Sequence, residues 1–201
     1  EPALGILIGD RLAPATHGSL GLVAVSSASA RQLLELVKRF LATRITVLSM
    51  SMRTRRRVAS LVVNELLPMG AARSLVLEAV LLSIKNVLKD GSMGRCPIAE
   101  VHFPFPKPVH ADQAQETFGC PIVYDAGHAS IHIPSSALDE PLRLADPKAR
   151  SLATSLCERE IEKLGTSRSF DPLPVTTSIS GSRATAVKGS ETSSETRMPV
   201  A

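Results

Sequence analysis

Five histidines, three cysteines and one arginine cluster are the side chains with chemistry to offer, and their spacing decides what each can do. His17, His102, His110, His128 and His132 raise the question of a metal. His128 and His132 are four apart, with Ile131 and Ile133 beside them in what reads as an apolar strand. Residues four apart on a strand share a face but lie ~13 Å apart along it, so those two are not expected to hold one ion. With no carboxylate or cysteine at a ligand-like offset, no metal centre is expected and the histidines read as surface or hydrogen-bonded groups. Two cysteines precede proline, Cys96-Pro97 and Cys120-Pro121, a dipeptide also found at haem-thiolate sensors. That pairing is too short to assign a haem, and a free cysteine is commonly a small buried apolar residue. No cofactor is expected.

Arg53, Arg55, Arg56 and Arg57 form the strongest local charge, with no acidic residue between Glu35 and Glu65 to offset it. Four guanidiniums can displace counterions from a phosphate backbone. A solvated hairpin turn also needs polar residues, and basic patches alone give only non-specific attraction, so the turn is preferred. Serines and histidines occur without a Gly-x-Ser-x-Gly elbow, a phosphate-cradling glycine loop or a dinucleotide fingerprint, so no enzyme is expected.

The elements that position these residues follow from periodicity. Residues 3–12 and 19–26 predict two short helices with a turn at Thr16-His17-Gly18. Ser29 followed by Gln32 is a capping-box pattern opening a helix through Leu33, Leu34, Leu36, Val37, Phe40 and Leu41. From Thr46 the period becomes two: Leu48, Met50 and Met52 share a face, Arg53 to Arg57 turn, and Ala59, Leu61 and Val63 return as a hairpin. Residues 71–89 predict a helix apolar nearly all round, hence buried, with Gly91 and Gly94 as its stop. Then come a strand over 99–105, a helix over 110–118 closed by Gly119, extended pieces at 121–125 and 129–134, and a helix from Asp146-Pro147 to Leu164. This pattern predicts an α+β class: an antiparallel sheet of four to five strands packed on a buried central helix, with further helices flanking it.

Composition fits one domain of about 165 residues. No apolar run approaches the ~18 residues of a membrane span. The odd set of three cysteines without zinc-like spacing predicts reduced thiols in a cytoplasm. One Tyr, five Phe and no Trp leave no stacking surface for single-stranded nucleic acid. Fourteen of residues 166–201 are Ser or Thr and no apolar period persists, so that tail is expected to be disordered.

The ordered series Val101-His102-Phe103-Pro104-Phe105-Pro106, Phe118-Gly119-Cys120-Pro121, Leu138-Asp139-Glu140-Pro141-Leu142 and Ala145-Asp146-Pro147 is more specific than any of this. It resembles the effector-binding half of AraC-type bacterial transcription regulators, in the subgroup whose sensor is called arabinose-binding although few members are expected to bind arabinose. The likeness runs over residues 4–165. It implies a regulatory, cytoplasmic, homodimeric protein in which a small metabolite binds the sensor and changes how DNA-binding modules meet a promoter. The expected pocket lies between the sheet and the buried helix, with His102, Tyr124 and His132 as its polar lining because they interrupt apolar strands. The helix 147–164 is expected to form a dimer contact or the connection to the DNA reader, unless it packs only within its own domain.

Such regulators continue into two helix-turn-helix units, and residues 166–201 lack that pattern. Residues 1–165 are thus expected to be an N-terminally truncated sensing and dimerisation domain without its reader, so promoter DNA would be a partner only through the missing C-terminal domain. The alternative is a stand-alone truncated interaction protein that heterodimerises with full-length regulators.

Overall fold

The structure, a computed structural model, describes residues 3–167. The segment expected to be disordered lies outside these residues, apart from Thr166 and Ser167, which belong to the last helix.

Helix α1 (Leu4–Arg11), a 3-10 turn (Pro14–His17) and α2 (Ser19–Val25) lead to α3 (Ala30–Phe40). The hairpin β1 (Leu48–Arg55) and β2 (Val58–Glu65) follows, then α4 (Arg73–Ser92), β3 (Glu100–His102), α5 (Ala111–Phe118), β4 (Ile122–Val123), β5 (Ala129–Pro134), α6 (Ser135–Leu138) and α7 (Pro147–Ser167). The five strands are ordered β1-β2-β5-β3-β4, antiparallel except where β3 runs parallel to β4, which gives the expected α+β sheet of five strands.

Local chemistry explains the boundaries. Ser29 caps α3 by accepting from the Gln32 backbone amide, and Gln32 Oε1 accepts in turn from the Ala28 amide at 2.8 Å, one residue before the cap itself. Asp146 Oδ1 accepts from the Lys148 and Ala149 amides at 2.9 and 3.0 Å to open α7. The expected strand 99–105 shrinks to three residues, because Pro104 and Pro106 have no amide hydrogen to donate. The arginine turn is shorter than expected. Arg53 and Arg55 lie within β1, and only Arg56 and Arg57 turn the chain, with Arg56 at φ +56°. Gly91 does not stop α4; it lies inside the helix against Leu33, and the helix ends at Met93, at φ +52°, and Gly94.

Alternation sorts the sheet into two faces. Ala59, Leu61, Val63, Val101, Ile131 and Ile133 point into the core, whereas Ser60, His102 and His132 occupy the other face.

No residue of α4 from Arg73 to Leu88 is exposed, and Leu77, Leu81, Leu82 and Leu88 have no accessible surface. Enclosure forces its polar side chains to find partners on other elements. Glu78 Oε1 meets His110 Nε2 at 2.7 Å, and Ser83 Oγ meets His17 Nε2 at 2.8 Å. Lys85 Nζ donates to the Thr117 carbonyl at 3.0 Å, and Asn86 Nδ2 donates to the Gly9 carbonyl at 3.1 Å. Burial, reinforced by the Arg44 charge, holds His17 below the ordinary histidine range. Burial also raises Glu78, against the lowering effect of His110.

Helix α1 closes on α4 through two glycines one turn apart. A β-carbon at Gly5 would lie 2.7 Å from the Leu75 carbonyl oxygen, and one at Gly9 would lie 2.9 Å from both Cα and O of Ala79. Backbone cannot yield as a flexible side chain does, so Gly9→Ala should lift α1 and cost about 1–3 kcal/mol. The thermal midpoint should fall by roughly 2–4 °C per kcal/mol, while Arg56→Ala on the hairpin turn should change stability by less than ~0.5 kcal/mol. A midpoint for Gly9→Ala equal to wild type would refute the close crossing.

The His17–Ser83 contact predicts a pH effect. Because His17 is held below its unfolded value, the unfolded chain takes up its proton first, so this stability is complete above the unfolded pKa and is lost as pH falls through the folded one. Between about pH 7.5 and 5.5, where histidine titrates, wild type should lose more thermal stability than His17→Gln. Glu78, shifted the opposite way, acts in both proteins and cancels in the difference. Equal losses would show that His17 carries no linkage.

Candidate functional site

A cavity of about 310 Å³ lies among α2, α3 and α4. Its walls are apolar, from Leu20, Ala24, Val37, Leu41, Val80, Ile84 and Val87. Among the described residues, three polar ones line it: His17 and Ser83, hydrogen-bonded to each other, and Arg44. No strand residue lines it. This cavity lies where helices meet helices, a different place from the one the sequence suggests, between the sheet and the central helix.

Arg44 also reaches α7. Its Nη2 donates to Glu160 Oε2 at 3.2 Å, and the Ser19 hydroxyl at the start of α2 donates to Glu160 Oε1 at 2.6 Å. Helix α7 packs Ala153 and Cys157 into the core beside α2, and Arg39 of α3 pairs with Glu158 at 2.8 Å. One cation thus belongs both to the cavity wall and to the surface on which α7 rests.

A second polar group surrounds Glu78. The carboxylate is almost inaccessible, with its side chain 2% exposed, and His110 at the start of α5 meets it. Tyr124 belongs here. Its ring packs on Phe103 and Phe105 with centroids 6.0 and 6.1 Å away, and its buried hydroxyl has no hydrogen-bond partner. Burial, with the Glu78 and Asp112 charges, pushes the phenol up to about 12, so it stays a neutral donor. His110 Nδ1 is also buried without a partner.

The third group lies on the outer face of the sheet. His102 and His132 rings approach to 4.2 Å between centroids, and Glu100 Oε1 is 3.0 Å from His102 Nε2. His132 is held at both nitrogens, Nδ1 by Ser60 Oγ at 3.0 Å and Nε2 by Ser130 Oγ at 2.9 Å. Burial first and His102 second keep His132 below the usual range, leaving it neutral at pH 7. Of the three predicted lining residues, the fold brings His102 and His132 together and sends Tyr124 to the core side; none of the three lines the helical cavity. The sequence gives no sign that Arg44, His17 and Ser83 meet: His17 stands out only as one of five histidines in a turn, and nothing in a helical serine and a loop arginine signals a shared cavity. Glu100 had a signal, its offset of two from His102, which becomes a common face once the segment is a strand.

Residues 1–142 match the family described as the arabinose-binding domain of AraC transcription regulators, N-terminal. The ornithine utilization regulator of Pseudomonas aeruginosa is 26% identical over 164 residues, covering 82% of this chain and 47% of that protein. Among solved structures, the transcriptional regulator CdpR of Pseudomonas aeruginosa is similar in fold, with a TM-score of 0.67 at 14% identity, covering 85% of this chain and 61% of that one. The chain thus spans about half the length of the curated relative it matches. Because the family match covers well over half of the 201 residues and the five-stranded α+β fold accompanies it, the chain belongs to the N-terminal arabinose-binding domain family of AraC transcription regulators.

Proposed function

We propose that this domain is the effector-sensing and dimerisation portion of an AraC-type regulator working in the bacterial cytoplasm, with the helical cavity as its effector site. The observation that carries this reading is the double role of Arg44, on the cavity wall and in the ion pair with Glu160 of α7. An effector with an apolar body and one carboxylate or similar acceptor would bury the body among Leu20, Val37, Ile84 and Val87 and draw the guanidinium toward itself. It would then compete with Glu160, so occupancy and the seating of α7 are linked. The buried, unpaired thiols Cys96, Cys120 and Cys157 suit a reducing compartment.

The relative's name ties it to ornithine utilization. Ornithine brings two ammonium groups, and among the described residues the cavity wall offers them no carboxylate, so a charged amino acid is a poor occupant here. In a thermal-shift panel of monocarboxylates with apolar chains, their amides and ornithine, the acids should raise the midpoint. Saturation at a hundredfold excess over Kd stabilises by about 2.7 kcal/mol. Val80→Phe should fill the cavity and remove the rise, and Arg44→Gln should erase the preference of acid over amide. A rise with ornithine, or one that survives Val80→Phe, would sink the assignment.

Helix α7 supports the dimerisation part. Leu152 and Leu156, four apart, face outward and are 61% and 37% exposed, an apolar pair that a second copy can cover. Sedimentation should give a dimer that Leu156→Glu converts to a monomer at an unchanged thermal midpoint. A wild-type chain that stays monomeric alone and pairs only with a full-length regulator would establish the rival, an interaction protein acting on other regulators.

A further inference from the structure

We propose that Glu100, His102 and His132 form a binding site for a divalent transition-metal ion of the zinc class on the outer face of the sheet, apart from the effector cavity. Strand register carries the argument. Glu100 and His102 are two apart on β3 and so share a face, while His132 on β5 is the direct cross-strand partner of Glu100. One nitrogen from each imidazole and one carboxylate oxygen all lie within 4.8 Å of one another. Ligands around a tetrahedral zinc ion sit about 3.4 Å apart, given bonds of ~2.0–2.2 Å, so side-chain rotations of about 1 Å close the set without moving the strands.

The surroundings prepare His132 for this. Ser130 is the register partner of His102, so the nitrogen that meets Ser130 Oγ, Nε2, is the one on the His102 side. The opposite nitrogen, Nδ1, is held by Ser60 on β2. A hydroxyl that accepts from Nδ1–H fixes the tautomer whose free Nε2 lone pair points at the cluster, as partners of metal-bound histidines do. On metal binding, Ser130 would release Nε2 while Ser60 keeps Nδ1. Two nitrogen donors with one oxygen favour zinc, cobalt or nickel over magnesium or calcium, which prefer all-oxygen sets. The side chains of Glu100 and His102 are 42% and 23% exposed, so an ion can enter from solvent and a water can complete its coordination.

The test is calorimetric titration of zinc into the full, tag-free chain near neutral pH, with cobalt substitution as the spectroscopic readout. One equivalent should bind, and the cobalt form should show tetrahedral d–d bands without thiolate charge transfer. His102→Ala and His132→Ala should abolish binding, Ser60→Ala should weaken it about 10- to 100-fold as expected for an orienting partner, and Arg56→Ala should leave it intact. Ser60→Ala also keeps the test decisive if a histidine variant fails to fold. Absence of binding to wild type, thiolate bands, or binding indifferent to His102, His132 and Ser60 would overturn the site and reduce the trio to a hydrogen-bonded network. None of these results would touch the effector cavity, which is read by a different variant set and a different ligand.

Discussion

The enclosure of α4 is the constraint from which most of this structure follows. A twenty-residue helix with no exposed residue through Leu88 cannot leave a carboxylate, a hydroxyl, an ammonium or an amide unpaired. Four polar side chains in that stretch therefore dictate where another element must end. Glu78 requires His110 at the start of α5, Ser83 requires His17 in the turn before α2, Lys85 needs the carbonyl at Thr117, and Asn86 needs the carbonyls at the end of α1. The glycines of α1 belong to the same logic, because a helix that covers α4 at backbone distance must be bare on that side. Two of the five histidines are thereby accounted for by the interior of a single helix.

That constraint also separates what the sequence makes legible from what it hides. Periodicity locates every helix of eleven residues or more and the hairpin, since burial of one face or of all faces leaves a direct mark on residue order. The capping residues Ser29 and Asp146 are equally plain, because an N-cap needs its partners only within three residues. Strand ends are less visible. β3 shrinks through its prolines, and its parallel partner β4 is two residues long and some twenty residues later, set by closure of the chain around α5 rather than by its own pattern. The family likeness rests on the segments 101–106, 118–121, 138–142 and 145–147, where prolines fix φ and Gly119 takes a left-handed conformation, so that the turns leave a signature.

The candidate site shows the limit more sharply. His102 and His132 interrupt apolar alternation, and that reading does pick out two side chains that meet. What alternation cannot give is the side of the sheet on which a polar residue beyond the strand falls. Tyr124 lies one residue past β4, where the chain has left the ladder, and its ring turns back onto Phe103 and Phe105. Likewise, the offset of His128 from His132 is the eye-catching one in sequence, whereas the contact that forms is between strands, His132 with His102. Register decides this, and register is a property of two segments thirty residues apart.

The helical cavity and α7 are joined by the same economy that governs α4. Arg44 is the last cation before the hairpin, in a stretch with no acid of its own, so its partner has to come from elsewhere in the chain. Glu160 supplies it, and Ser19 holds the other oxygen of that carboxylate against the first residue of α2. Three elements thus meet at one ion pair whose cation is only partly exposed, and whose strength is sensitive to anything that displaces water or charge near it. Cys157, one turn earlier, is fully buried and anchors α7 at that level, while Leu152 and Leu156, in the same i, i+4 row as Glu160, are exposed. The ion pair that Arg44 makes from the cavity wall thus lies one helical turn from the apolar pair that α7 exposes.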